Sequence, residues 1–350
     1  MTSIPACLIT QPVRRSAHLP GIGGLLKQQL SDFQVEEIPA YLPSGSGEHL
    51  FLWIEKRDMG AEFFQRQIAQ RLGIPTGEIG TAGMKDRKAI TRQWVSVPAR
   101  CEPQLSQLEG DGITVLKVSR HGNKLRPGHL HGNRFTIVLR DVTQTEAISP
   151  CLELLNSQGL PNYYGSQRFG QQGETLELGW RMLQGERLRL NPFLRKLALS
   201  ALQSALFNRC LSLRITDGLF RTVLDGDVMT KWPSGGMFIT HDTATEQKRL
   251  DAREIVTTGP MFGSKMKMAE SQAAEREAAV LQECGLQLEH FQAGGKLLEG
   301  TRRHNLVYLE ELEWHTEGTN VTLQFRLPAG CYATTLLDEL MKTDQPADGD

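Results

Sequence analysis

Short stretches in which apolar and polar residues alternate stand toward both ends of this chain, with a long helical run between them. That order constrains the fold more than any other feature. DFQVEEIP (32–39), HLFLWIEKR (49–57), GITVLKVSRH (112–121) and RFTIVLRDV (134–142) read with a period of two, which predicts strands. NLVYLEELEW (305–314) and TNVTLQFRLPAG (319–330) return to the same texture. The middle is different. Asn191-Pro192 opens a helix over 193–213, with Leu194, Leu197, Ala198, Ala201, Leu202, Ala205 and Leu206 at helical spacing. A second helix is expected over 270–283. Two more flank the strands, AEFFQRQIAQRLG (61–73) and YATTLLDELMKT (332–343). At 350 residues the chain is long enough for two domains. The expectation is an α+β protein whose first domain is discontinuous and interrupted by a middle domain.

Composition narrows the class by exclusion. No apolar run reaches the roughly 18 residues of a membrane helix. In MTSIPACLITQPVRR the cations follow the apolar piece, the wrong order for a signal peptide. The cysteines (7, 101, 151, 210, 284 and 331) form no CxxC or CxxH, so reduced thiols in a cytoplasmic protein are expected, without a disulfide frame or zinc site. Net charge is −1, yet the charges are segregated. Ile113 to Arg140 and Arg187 to Thr216 hold no acid, while acids gather in EELEW (310–314) and the tail DQPADGD (344–350). Charge alone fits two solvated faces as well as a cleft for a polyanion.

Among the motifs, TTGPMFGSKM (257–266) comes nearest to a phosphate loop, but only three residues stand between its glycines and Ser264 precedes Lys265. A Walker loop needs four residues and the reverse order, so nucleotide hydrolysis is set aside. GIGG (21–24) lacks a preceding strand, GSGEH (45–49) reads as a hairpin turn, and HLH (129–131) has no nearby acid or thiol to complete a metal site. No GxSxG is present. What stands out is TAGMKDRKAITRQWVSV (81–97), in which one carboxylate, Asp86, sits among Lys85, Arg87 and Lys88 just before a strand. Neighbouring cations favour the charged form of a carboxylate. Phe135, Tyr163, Tyr164 and Phe169 lie in or beside loops rich in glycine, amides and cations, a combination that stacks unpaired bases. A strand-core role for Phe135 is the competing reading. The residues by themselves reach a possible RNA cleft with one guarded carboxylate.

In combination these stretches resemble the TruD family of tRNA pseudouridine synthases. AGMKDRKAITRQW resembles its AGxKDxxAxTxQ loop, GLLKQQLSDFQVEE (24–37) its N-terminal LK…DFxVxE element, and GNRF (132–135) its GNxF motif. PNYYGSQRFG, SALFN (204–208), Gly226-Asp227 and LPAGCYATTLLDEL also match, so the likeness covers nearly the whole chain. The resemblance implies a pseudouridine-synthase core of mixed, largely antiparallel sheet over 1–159 and 304–350, with an inserted α+β domain over 160–303. It implies conversion of uridine-13 of tRNA to pseudouridine, with Asp86 as catalytic carboxylate and Lys27 as its basic partner. Phe135 and Asn133 are then substrate-binding, and Lys85, Lys124, Arg126, Arg168 and Arg195 are candidate RNA contacts. No cofactor or metal is expected; the partner is tRNA and the chain a monomer.

Overall fold

In a computed structural model, described over residues 3–292 and 295–343, the chain forms two units. The acidic tail singled out above lies outside the described residues. The first unit comprises Gly21–Ile148 and Leu309–Ala333, and the second the N-terminal segment through Pro20 with Ser149–Tyr308 and Thr334–Lys342. Within the second unit the N-terminal segment and the last helix are joined to each other by pairings that no local pattern announces. Arg14 pairs with Asp338 at 2.8 Å, and buried Glu339 accepts from the backbone N–H groups of Arg15 (2.7 Å) and Ser16 (2.8 Å).

Strands in the first unit are β1 (Gly23–Leu25), β2 (Phe33–Pro39), β3 (His49–Arg57), β4 (Gly80–Thr81), β5 (Ile90–Pro98), β6 (Ile113–His121) and β7 (Leu130–Val142). The second unit contributes β8 (Leu160–Pro161), β9 (Val228–Lys231), β10 (Met237–Ile239), β11 (Ile255–Met261), β12 (Thr301–His304) and β13 (Leu306–Val307). The chain then returns to the first unit with β14 (Glu310–Glu317) and β15 (Asn320–Pro328).

The first unit is built on a nine-stranded sheet of order β14-β15-β7-β2-β5-β3-β6, with β1 added on β7 and β4 on β5. β2 and β5 run parallel, and the other pairs are antiparallel. Register decides which side chains meet. Val35 lies opposite Phe135 and Thr91, Glu37 opposite Asn133, and Lys56 opposite Thr91. Alternation puts Phe33, Val35 and Glu37 on one face. The helix Ala61–Leu72 buries Phe64, Ile68 and Leu72 against Leu52, Ile54, Val95 and Val97. Burial of side chains this size stabilises by about 1.5–3 kcal/mol each. The helix ends where Gly73 turns left-handed, at φ +62°.

One strand is longer than its pattern predicts. β7 begins at Leu130, so Gly132 and Asn133, expected in a loop, are strand residues. The reason is close packing, because a Cβ at Gly132 would lie 2.2 Å from the Leu327 carbonyl oxygen on β15. Only glycine permits that approach, and a glycine in a strand disguises the strand.

In the second unit the long helix is Pro192–Thr216, capped by Asn191, whose side-chain oxygen accepts from the Leu194 N–H at 2.8 Å. Its Leu199, Leu202 and Leu206 pack with Leu176, Trp180 and Leu183 of the helix Glu174–Leu183. A four-stranded sheet of order β10-β9-β11-β12 completes the unit. Gly259 lies inside β11, where a Cβ would meet the Phe207 ring at 2.8 Å. The glycines near 257–266 therefore serve packing, not phosphate. No helix among the described residues is long and apolar enough to cross a membrane.

Candidate active site

Asp86 sits in the loop between β4 and β5, and both ends of that loop are tied down. The Gly128 N–H donates to the Ala82 carbonyl at 2.9 Å, and the Asp58 N–H to the Ala89 carbonyl at 3.2 Å. Lys85 turns inward and pairs with Glu37 at 2.9 Å, with the two side chains 3% and 1% exposed. Lys56, itself 1% exposed, donates from Nζ to the Asp86 carbonyl at 3.1 Å and to the Met59 carbonyl. The Asp86 carboxylate, by contrast, makes no hydrogen bond or ion pair among the described residues, and the residue is half-buried.

The cations that flank Asp86 in sequence are thus not its guard. Lys85 is committed to Glu37, Arg87 approaches Asp58 at 3.9 Å, and Lys88 is exposed. Lys85, expected at RNA phosphates, is placed by the structure in a buried ion pair with Glu37. The cation at the loop is Lys56. Burial pulls its ammonium down to about 8; the Asp86 charge opposes that fall and the Lys85 charge adds to it. Burial likewise pushes the Glu37 carboxyl above the ordinary glutamate range, against the charge of Lys85 and the N–H of Trp94.

Other expected residues gather on the same face of the sheet. Lys27 adopts a left-handed backbone, φ +56°, a conformation that non-glycine residues seldom take without a functional or packing cause. Its Nζ stands 4.4 Å from the centroid of the Phe33 ring, and it forms no hydrogen bond or ion pair with Asp86 among the described residues. Phe33 meets Phe135 edge-on at 6.3 Å, and Phe135 stacks on Phe325 at 5.3 Å. Phe135 is 5% exposed, so the strand-core reading is realised in this arrangement, with any base-stacking role added to it. Asp32 completes the N-terminal element by pairing with Arg140 at 2.7 Å.

Asn133 Oδ1, Thr91 Oγ1 and Gln93 Oε1 are buried without a hydrogen-bond partner among the described residues. They form a polar floor on the sheet. Of the candidate RNA contacts, Arg126 and Arg195 are exposed, and Lys124 donates to the Gly77 carbonyl. Arg168 is held to the long helix by Ser204 at 3.3 Å and by Ser200, with its guanidinium 5.6 Å from the Tyr164 ring centroid.

Lys56 escaped the sequence reading, and Glu37 entered it only as part of a motif. A signal existed in both cases. Lys56 stands in the inward register of β3 with Leu52 and Ile54, and Glu37 in that of β2 with Phe33 and Val35. A charge at an inward strand position needs a buried partner.

Against known proteins, the family described as tRNA pseudouridine synthase D (TruD) matches residues 15–189 and 187–340. A relative from Anaeromyxobacter sp. (strain Fw109-5), named tRNA pseudouridine synthase D, is 44% identical over 336 residues, covering 93% of this chain and 95% of its own. One of the same name from Thermus thermophilus is 41% identical over 331 residues, covering 93% and 91%. The crystal structure of a candidate tRNA pseudouridine synthase D from Methanosarcina mazei superposes with a TM-score of 0.78, at 22% identity, over 98% of this chain and 99% of that one. That last likeness concerns the fold.

Proposed function

The chain belongs to the tRNA pseudouridine synthase D family and is a tRNA pseudouridine synthase, an isomerase, and we propose that it acts at uridine-13 with Asp86 as its catalytic carboxylate. The observation that carries the assignment is the contrast within one loop. Lys85 and the Asp86 carbonyl are fastened, while the half-buried Asp86 carboxylate is left unengaged among the described residues.

The reaction breaks the C1′–N1 bond of the nucleotide and makes C1′–C5; the proton on C5 is lost to a base or to water, and N1 takes one up, so atoms balance as an isomerisation. Electrons balance within the substrate, so the proposal draws on no metal or cofactor. Asp86 acts either as a nucleophile on C1′ or the base ring, or as the base that removes a sugar proton on a glycal route. Both require its charged form. The target base has to leave the RNA stack, at a cost of a few kcal/mol. Asn133 Oδ1, buried and unpartnered, is an acceptor suited to the imide N–H of a uracil. Lys27, poised over Phe33, is the cation proposed to approach Asp86 when substrate is bound. Carbodiimide-primer extension on bulk tRNA tests the reading: a stop at one uridine supports it, and binding without any stop would move the assignment to an RNA-binding protein.

Phe135 is proposed as the ring against which the base rests. Phe135→Ala is expected to lower turnover and, because it empties a buried site, to cost about 3–5 kcal/mol of stability. Phe135→Tyr keeps the ring and should be milder. Near-wild-type turnover in both would argue against stacking there.

The second unit offers tRNA a cationic surface. Arg187, Arg189, Arg195 and Lys196 are exposed and make no ion pair among the described residues, whereas neighbouring Glu186 is occupied by Arg181. Replacing all four with Gln should reduce the slope of log affinity against log salt by up to about 3.6, at roughly 0.7–0.9 per lost phosphate contact. An unchanged slope would make these residues solvated surface.

A further inference from the structure

We propose that Lys56 is the positioning residue that fixes the backbone of Asp86 and thereby aims its carboxylate. The inference rests on the reading of Asp86 given above. Lys56 closes the inward row of β3, is 1% exposed, and directs Nζ to two carbonyls, those of Asp86 (3.1 Å) and Met59. Lysine is almost never buried to this degree unless its head is engaged. Here the engagement goes to the main chain of Asp86 and leaves that residue's carboxylate available.

The placement has a physical logic. A cation bound to the carbonyl of the same residue holds the loop and keeps positive charge nearby without occupying the carboxylate. An apolar residue in place of Lys56 would leave both carbonyls without that donor. The charged groups that face Lys56 are Asp86, whose charge supports the ammonium, and Lys85, whose charge opposes it. Its cross-strand neighbours are Thr91 of β5 and Ile113 of β6, neither of them charged, and beside it stand the Met59 carbonyl and the Phe64 ring, whose centroid lies 6.0 Å away. Lys85 is turned away by Glu37, so the two cations serve different partners.

A neutral amine keeps enough N–H groups for two carbonyls, but hydrogen bonds from a charged donor are roughly twice as strong as neutral ones. Deprotonating Lys56 therefore loosens the loop and withdraws charge from beside Asp86. The test is the single-turnover rate at saturating tRNA, as a function of pH, for wild type, Lys56→Met and Lys56→Arg. Wild type should lose rate through an alkaline limb centred at about 8. Lys56→Met should be slower by about 100-fold, the scale of a small misplacement of a reacting group, with tRNA affinity unchanged. Lys56→Arg should recover part of the rate and lack the limb, because a guanidinium stays charged. A folded Lys56→Met at wild-type rate would overturn the inference, as would the same limb in Lys56→Arg. If Lys56→Met does not fold, the wild-type profile decides, since a flat profile through 8 removes Lys56 from the rate. Wild-type protein that forms no pseudouridine would instead overturn the assignment of function.

Discussion

Asp86→Asn is expected to end pseudouridine formation, lowering the single-turnover rate by about 10⁴-fold or more, as loss of a residue central to a catalytic unit does. Asparagine has nearly the shape of aspartate and keeps the backbone carbonyl that Lys56 holds at 3.1 Å, so the loop should stand. An amide, however, is neither a nucleophile of comparable strength nor a base. Transfer RNA should therefore bind the variant as well as wild type and emerge unmodified. Carbodiimide-primer extension on tRNA incubated with each protein checks this. Equal stops with both would keep the enzyme and remove Asp86 from its chemistry.

The second large effect is on stability and comes from the Glu37–Lys85 pair. Removing one partner of a buried pair costs about 3–5 kcal/mol, because the other charge stays buried without compensation. Lys85→Met should show that loss, and Lys85→Met with Glu37→Gln should recover much of it. The pH dependence has a definite sign. The folded Glu37 carboxyl titrates above the ordinary glutamate value, so its contribution is fully present below that value and lost as pH rises through the raised one. Without Lys85 the carboxyl rises further, so Lys85→Met should be destabilised more at about pH 8 than at about pH 5. Urea midpoints at both pH values measure this. A single variant as stable as wild type at the higher pH would mean that the pair is open to water in solution.

Much of this was legible in the chain. Alternation in β2, β3, β5 and β15, and helical spacing in Ala61–Leu72 and Pro192–Thr216, are local properties, and the structure has each of them where the pattern put it. The motif around Asp86 marked its loop before any geometry was known. The extent of β7 was hidden, because Gly132 and Asn133 read as loop until the Leu327 carbonyl is brought against Gly132.

What the sequence determined by itself was the kind of element at each stretch and the residue proposed to carry the chemistry, since propensity, periodicity and motif spacing act over a few neighbours. Only the tertiary structure decided which cation serves which acid. Lys85 adjoins Asp86 in sequence but is drawn to Glu37 on β2, while Lys56, 30 residues away, takes hold of the Asp86 carbonyl from β3. Strand register sets those meetings, and a buried charge is stable only beside the partner that register delivers.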